Sequence, residues 1–357
     1  MNPAVKVLRR LRGDNNEGVL ALVLIVLVIG MSIANPAFFS LRTLYQLVFN
    51  SMVPLVFALA VLLVIISGGI DVSFAAIAIF AAYTTVKLFV SGGSAGGWLG
   101  LGALLVALVI GAGLGLVNGA VIARFRMPTL IATLGTQSIF KGALLTWIGS
   151  QYIDHIPANM DALSGATILK TADGYLHVLI IPVLLLAVGV SLLLRKTMFG
   201  RSIYAIGGDL EAARRVGFKV VPAQLLLYVI VGMMAAFGGV IYVILGRNAN
   251  PQTLVGGELD IIAAVVLGGA SIFGGRGSVI GTVLGVVLIQ VINNSLLMIG
   301  VPSAWQRAAV GLLLLIGVGT QAMTAARAKK AATLAHEEMA ITAYEKAASA
   351  APEEVSA

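Results

Sequence analysis

The chain alternates long apolar runs with short polar breaks along almost its whole length. Ten apolar segments recur, at 18–34, 44–66, 72–90, 97–123, 128–147, 177–194, 223–245, 259–273, 279–299 and 304–323. Most approach the roughly 20 residues that a helix needs to cross a bilayer. None shows the two-residue alternation of a membrane barrel. The pattern predicts an all-α, polytopic helical membrane protein. The eighth segment, "IIAAVVLGGASIFGG", is Gly-rich and shorter than a full crossing, so its path decides which side every later loop faces.

Composition sharpens this picture. The chain of 357 residues is 59% hydrophobic and 11% charged, against about 25% charged in soluble domains. It has no cysteine, which excludes disulfides and thiol chemistry. His155, His177 and His336 are scattered without metal-ligand spacing, so no metal site is expected. A net charge of +8 would suit nucleic acid, but the basic residues flank apolar runs, which points to the membrane. The basic start "KVLRRLR" leads into an apolar run followed by "NPAFFS" rather than a small-residue cleavage pattern, so it reads as an uncleaved first span.

Lys and Arg set the expected orientation. With the N-terminus in the cytoplasm, 17 of the 23 basic residues fall on the inner side. An even number of spans then puts both termini inside. The expected organisation is a cytoplasmic segment 1–17, a transmembrane domain 18–323 and a cytoplasmic tail 324–357 rich in Ala, Glu and Lys. The largest outer loop is 148–176, rich in turn formers, and the largest inner loop is 195–222.

A faint internal repeat is readable. "SGGIDVSFAAIAIF" (67–80) resembles "VGGELDIIAAVVLGG" (255–269), and each precedes a glycine-spaced span. Gly111, Gly115 and Gly119 mark one span, and Gly277, Gly281 and Gly285 the other. The matched segments lie an odd number of spans apart, so the two halves would have inverted topology, a recurring transporter design. Close backbone packing accounts for the glycine spacing by itself.

Ionisable residues in spans are expensive and usually functional. Here they are scarce. Asp71 and Asp260 sit beside Gly-Gly pairs at matched repeat positions, where each would cap a helix start and border a pathway, or simply cap. Lys141 is the charge deepest inside a span. Neutral polar residues are commoner: Gln46, Asn50, Ser67, Ser73, Asn118, Thr133, Gln137, Gln290, Asn293 and Asn294. They suit a polyhydroxylated uncharged solute, and equally suit hydrogen bonds between helices. Asp71, Ser73, Asn118 and Asn293 are the candidate pathway residues. No phosphate loop is present, so ATP hydrolysis by that route is not expected of this chain.

One stretch departs from the oily background. "AIGGDLEAARRVGF" (205–218) reads as a Gly-Gly break, Asp209 at an N-cap, and a short helix stopped by Gly217. Glu211 near its start and Arg214 and Arg215 near its end complement the helix dipole. A helix this short needs outside support, either a protein partner or the loop around it.

Four motifs in order resemble the permease subunits of bacterial ATP-binding-cassette importers for simple sugars of the ribose, xylose, arabinose and galactose type. They are "SGGIDVS" (67–73), "GLVNGAVIARFRMPTLIATLGT" (115–136), "GRSIYAIGGDLEAARRVGF" (200–218) and "LGGASIFGGRGSVIGTVLGVVLIQVINNSLLMIGV" (267–301). The likeness covers most of 18–323 and extends more remotely to branched-chain amino-acid permeases. It implies a subunit of the bacterial inner membrane that pairs with a second permease subunit, identical or paralogous. A cytoplasmic ATPase subunit would bind the ATP, so no cofactor is expected on this chain, and a periplasmic sugar-binding protein would deliver the solute to the outer loop. It also implies that Gly207, Gly208, Asp209, Glu211, Ala212, Ala213, Arg214, Arg215 and Gly217 form the coupling helix that docks on the ATPase. The chain departs from the pattern at Val72, Phe74 and Ala75 after "GGID", and at Asp209 where Asn is common. A stand-alone ion- or proton-coupled secondary transporter is the alternative, opposed by the coupling-type loop and the scarcity of carboxylates in spans.

Overall fold

A computed structural model describes residues 17–91, 99–302 and 305–312, together with single positions 315, 319 and 323. The expected N-terminal segment (apart from Glu17), nine of the twenty positions of the tenth apolar segment and the tail lie outside the described residues. The other nine apolar segments each coincide with a helix. These are α1 (Glu17–Ala34), α2 (Leu41–Ile66), α3 (Phe74–Ser91), α4 (Leu99–Phe125), α5 (Thr129–Ala143, extended by a π turn to Ile148), α7 (Ile180–Lys196), α10 (Val220–Gly246), α11 (Glu258–Leu267) and α12 (Val279–Met298). Shorter helices lie between them: α6 (Ala158–Ser164), α8 (Met198–Gly208) and α9 (Leu210–Arg215). Among the described residues five helices are long and apolar enough to cross a bilayer, or six if the α7–α8 pair, bent by 73°, counts as one span. The protein is a polytopic all-α membrane protein.

The interior is built on α2 and α10, whose apolar side chains are buried on most faces. A helix apolar all round is a buried helix or a membrane span; these two are both. By contrast α1 keeps Leu22, Val26, Ile29 and Ile33 exposed, and α7 does the same with Leu184, Leu185 and Val188. Such faces suit hydrocarbon.

The glycine stripe of α4 packs directly on α10. A Cβ at Gly111 would collide with Gly232 O, one at Gly115 with Tyr228 O, and one at Gly119 would lie 3.2 Å from Leu225 Cα. The packing account of this spacing is thus sufficient. In α12 the stripe is shorter than its spacing suggests. Gly281 and Gly285 pack against Gly268 and Ala264 of the α11 segment, whereas Gly277 precedes the helix at φ +159. It sits in the turn before the Ser278 cap, which accepts from Gly281 N at 3.0 Å.

The two matched segments share an order of parts: a long helix, an irregular break, a shorter helix and a glycine-bearing helix. Their aspartates are not equivalent. Asp71 precedes the start of α3 by three residues, while Asp260 lies inside the first turn of α11, whose N-cap is Gly257. The eighth segment also resolves. Its helix has only ten residues, about 15 Å, half the hydrocarbon thickness of about 30 Å. The Gly-rich turn that follows extends its reach, and Gly275 N donates to Ile66 O at the end of α2 (2.9 Å).

The loop 148–176 holds structure that the all-α expectation missed. Thr167–Thr171 (β1) and Gly174–His177 (β2) form an antiparallel hairpin closed by the two residues Ala172 and Asp173. Gly174, at φ +152, lets the hairpin press on Tyr45 of α2. Edge-to-face contacts place Phe49 against Tyr175 and His177, at 6.4 and 6.2 Å between ring centroids. His177 is buried, its ring bonded to Ser164 O and accepting from Leu179 N, so its role is structural.

Candidate functional site

From Asp209 to Gly217 the polar stretch folds as its letters predict. Asp209 is the N-cap of α9, its Oδ1 accepting from Ala212 N at 2.9 Å. Arg214 donates to Glu211 Oε1 at 2.8 Å, one turn apart. The helix ends on Gly217 at φ +94. Phe218 N donates to Ala213 O and Gly217 N to Arg214 O, the paired bonds of a Schellman ending. The Gly-Gly pair is not a break: Gly207 and Gly208 close α8, and the chain turns at Asp209, which is extended at φ −157.

The site residues of this stretch divide by face. Asp209, Glu211, Ala212, Arg214 and Arg215 are exposed, and Val216 beside them is 78% exposed. Ala213 faces inward, in a small apolar cluster with Ile206 and Val220 that is covered by Phe218. That cluster supports a helix too short to stand alone.

Gly207 also faces inward, where its lack of a side chain has a use. A Cβ there would lie 2.8 Å from Gly275 N, 2.9 Å from Ile66 C, and closer still to Ile66 O. On the facing loops, a Cβ at Gly68 would sit 3.5 Å from Gly207 Cα, and one at Gly274 would collide with Gly207 O. Gly68 and Gly274 take φ of +84 and +87, a region that favours glycine. The end of α8 is thus wedged between the break that follows α2 and the turn that follows α11. Tyr204 adds a bond from its hydroxyl to Gly277 O at 2.7 Å.

From Gly68 the break runs to the start of α3. Thr129 Oγ1 of α5 accepts from Ile70 N at 3.0 Å, and Thr133 Oγ1 donates to Ile70 O at 3.3 Å. Asp71 Oδ1 accepts from both Ser73 N (2.7 Å) and Ser73 Oγ (2.6 Å). Ser73 Oγ in turn accepts from Asn118 Nδ2 of α4 at 2.6 Å. Three of the four predicted pathway residues therefore meet in one network. It is closed to solvent, with Asp71 and Ser73 at 0% and Asn118 at 1% exposure. Asn293 stands apart on α12, its Oδ1 buried and unpartnered.

Ser73 leads directly into Phe74, whose ring packs on Phe57 at 5.3 Å between centroids. Above this pair lies a cavity of about 420 Å³ bounded by α2, α10 and α11. Along α2 it extends towards Phe49, the residue under the hairpin.

One group of functional character was missed. Glu258, the first residue of α11, is buried and accepts from Gln137 Nε2 at 2.6 Å and from Gly256 N at 2.9 Å. Lys141, one turn along α5, donates to Pro251 O at 2.6 Å and is close enough to Glu258 for their charges to interact. Gln137 and Lys141 were visible as polar residues in a span. Their partner was hidden because "GGEL" reads as a loop edge.

Among the described residues no group of three or more His, Cys, Asp or Glu is placed to hold a metal. The family model described as "Branched-chain amino acid transport system / permease component" matches residues 43–318. The autoinducer 2 import system permease protein of Yersinia enterocolitica is 32% identical over 303 residues, covering 85% of this chain and 81% of the relative. Its counterpart in Yersinia pestis strain Pestoides F is 33% identical over 304 residues, 85% and 83% of the two chains. That of Shigella flexneri is 32% identical over 305 residues, 85% and 86%. No solved structure matches. The chain therefore belongs to the branched-chain amino-acid transport-system permease family, and is similar along most of its length to permease proteins of autoinducer 2 import systems.

Proposed function

We propose that this chain is the permease subunit of an importer for a small, neutral, polyhydroxylated solute of the monosaccharide type, driven by a separate ATPase subunit. The observation that carries the reading is the wedge at Gly207. A short polar helix with an exposed charged face is joined by backbone contact to the loops following both α2 and α11. A partner gripping α9 would move both loops together, which is what alternating access by coupled rigid elements requires.

In this reading α9 faces the cytoplasm, both termini lie inside, and the hairpin loop faces a periplasmic sugar-binding protein. Asp209, Glu211, Ala212, Arg214 and Arg215 form the ATPase contact. Gly207, Gly208 and Gly217 shape the segment, and Ala213 anchors it. A second permease subunit completes the pore. Asp71, Ser73 and Asn118 hold the wall of the pathway by fixing the start of α3, and Asn293 offers its unpartnered carbonyl oxygen from α12. The sugar-like solute agrees with the neutral amides and hydroxyls of the spans, and with relatives named for import of autoinducer 2.

The test is uptake in proteoliposomes carrying this chain together with its ATPase and binding-protein partners. ATP-dependent accumulation of a pentose or hexose is expected, with none when the ATPase is left out. Uptake driven by a proton or sodium gradient without the ATPase would refute the reading in favour of a secondary transporter. Orientation is tested independently: a thiol placed at Asp209 must be unreachable by an impermeant reagent outside intact cells.

A further inference from the structure

We infer that the cavity above Phe57 and Phe74 is a solute-binding vestibule for a neutral sugar-sized molecule, and that this aromatic pair is its floor. The inference rests on the importer reading for its orientation and adds a site within it. At about 420 Å³ the cavity falls in the size range of small-molecule sites, about 300–1,000 Å³. Its lining is chemically selective. Phe49 and Tyr242 supply ring surface and Asn50 an amide, while Phe57 and Phe74, 4% and 1% exposed, close the bottom. Aromatic faces carry partial negative charge and attract the C–H faces of a sugar ring, while an amide both donates to and accepts from hydroxyls. No Asp, Glu, Lys or Arg is among the described lining residues. A charged solute would be desolvated there without a counter-charge.

Its boundaries connect it to the rest of the machinery. The rim meets Phe49, on which the hairpin of the 148–176 loop packs. One wall carries Leu254 at φ +68, a conformation that costs a branched residue energy and that clusters at ligand clamps. The floor is packed against moving parts of the proposed mechanism. Phe57 lies against Gly238 of α10, where a Cβ would collide with the ring. Phe74 follows Ser73, which the Asp71–Asn118 network anchors, and the same break reaches Gly207 of α8. A shift of α9 thus has a continuous packed route to the floor.

The natural absence of cysteine makes the test direct. Val53→Cys places a thiol in the wall above the floor, and a neutral, hydrophilic, membrane-impermeant methanethiosulfonate of sugar size is the probe, applied to intact cells. Labelling from outside is expected, slowed at least 3-fold by one or more members of a panel of neutral pentoses and hexoses and not by leucine. No labelling, or no protection by any sugar, overturns the vestibule. Protection by leucine alone overturns the solute class. Phe57→Leu, with the Val53→Cys thiol still labelled as evidence of folding, is expected to raise ATPase-independent leak of D-ribose from proteoliposomes at least 10-fold. If Phe57→Leu abolishes labelling, Gly238→Ala is measured in the same way. An unchanged leak in a labelled variant overturns the floor. External labelling of Asp209→Cys would instead remove the importer orientation itself, so the two failures are distinguishable.

Discussion

Replacing Gly207 with alanine is the most informative single change. The new methyl would sit 2.8 Å from Gly275 N and 2.9 Å from Ile66 C, and closer still to Ile66 O. Carbon atoms in ordinary contact are about 3.5–4.0 Å apart. The two loops must therefore part by about 1 Å. The hydrogen bond from Gly275 N to Ile66 O, now 2.9 Å, would stretch to about 4 Å, beyond hydrogen-bonding range. Losing that bond costs about 0.5–1.5 kcal/mol, and overpacking adds about 1–3 kcal/mol. Alanine recovers at most about 1 kcal/mol of helix propensity at this helix end. The net effect is about 0.5–4.5 kcal/mol, and its midpoint of about 2.5 kcal/mol is a roughly 70-fold change in an equilibrium between two arrangements. The matched control is Gly208→Ala, where a Cβ meets nothing within 4 Å. The assay is ATP-driven uptake together with ATPase activity in the reconstituted transporter. Gly207→Ala is expected to lower uptake at least 5-fold while the ATPase still co-purifies, and Gly208→Ala to leave uptake unchanged. Equal uptake by the two variants would refute the wedge as the link between α9 and the spans.

Three further outcomes follow from the same geometry. Asp209→Ala should remove the cap of α9 at a cost of about 0.5–2 kcal/mol, seen as faster amide exchange at Ala212, and Asp209→Asn should restore it. Glu211→Arg should abolish co-purification of the ATPase while membrane insertion persists, and normal co-purification would contradict the docking assignment. Glu258→Ala should lower the midpoint of thermal unfolding more than Glu258→Gln. It leaves Gln137 without its acceptor and Lys141 without its nearby charge, a loss of about 1–3 kcal/mol, whereas glutamine keeps an acceptor oxygen for Gln137 and Gly256.

What the chain's letters determine by themselves is the part governed by local physics. Nine apolar segments form helices, at least five of them long enough to cross a bilayer, because in an apolar medium a helix satisfies its own backbone. The α9 turn is legible from Asp209 to Gly217 because cap, helix and ending lie within ten residues and satisfy one another. The hairpin was signalled only by Asp173–Gly174, a short-range cue lost among other turn formers. Tertiary structure alone decides the rest. Asp71 and Ser73 are neighbours in sequence, but their link to Asn118 spans 45 positions. Glu258 finds Gln137 across 121. Gly207 reads as part of a break in the sequence and proves to be a point of contact between backbones, because glycine's freedom and its smallness are written with the same letter. Which of the two is used depends on what the rest of the chain brings against it.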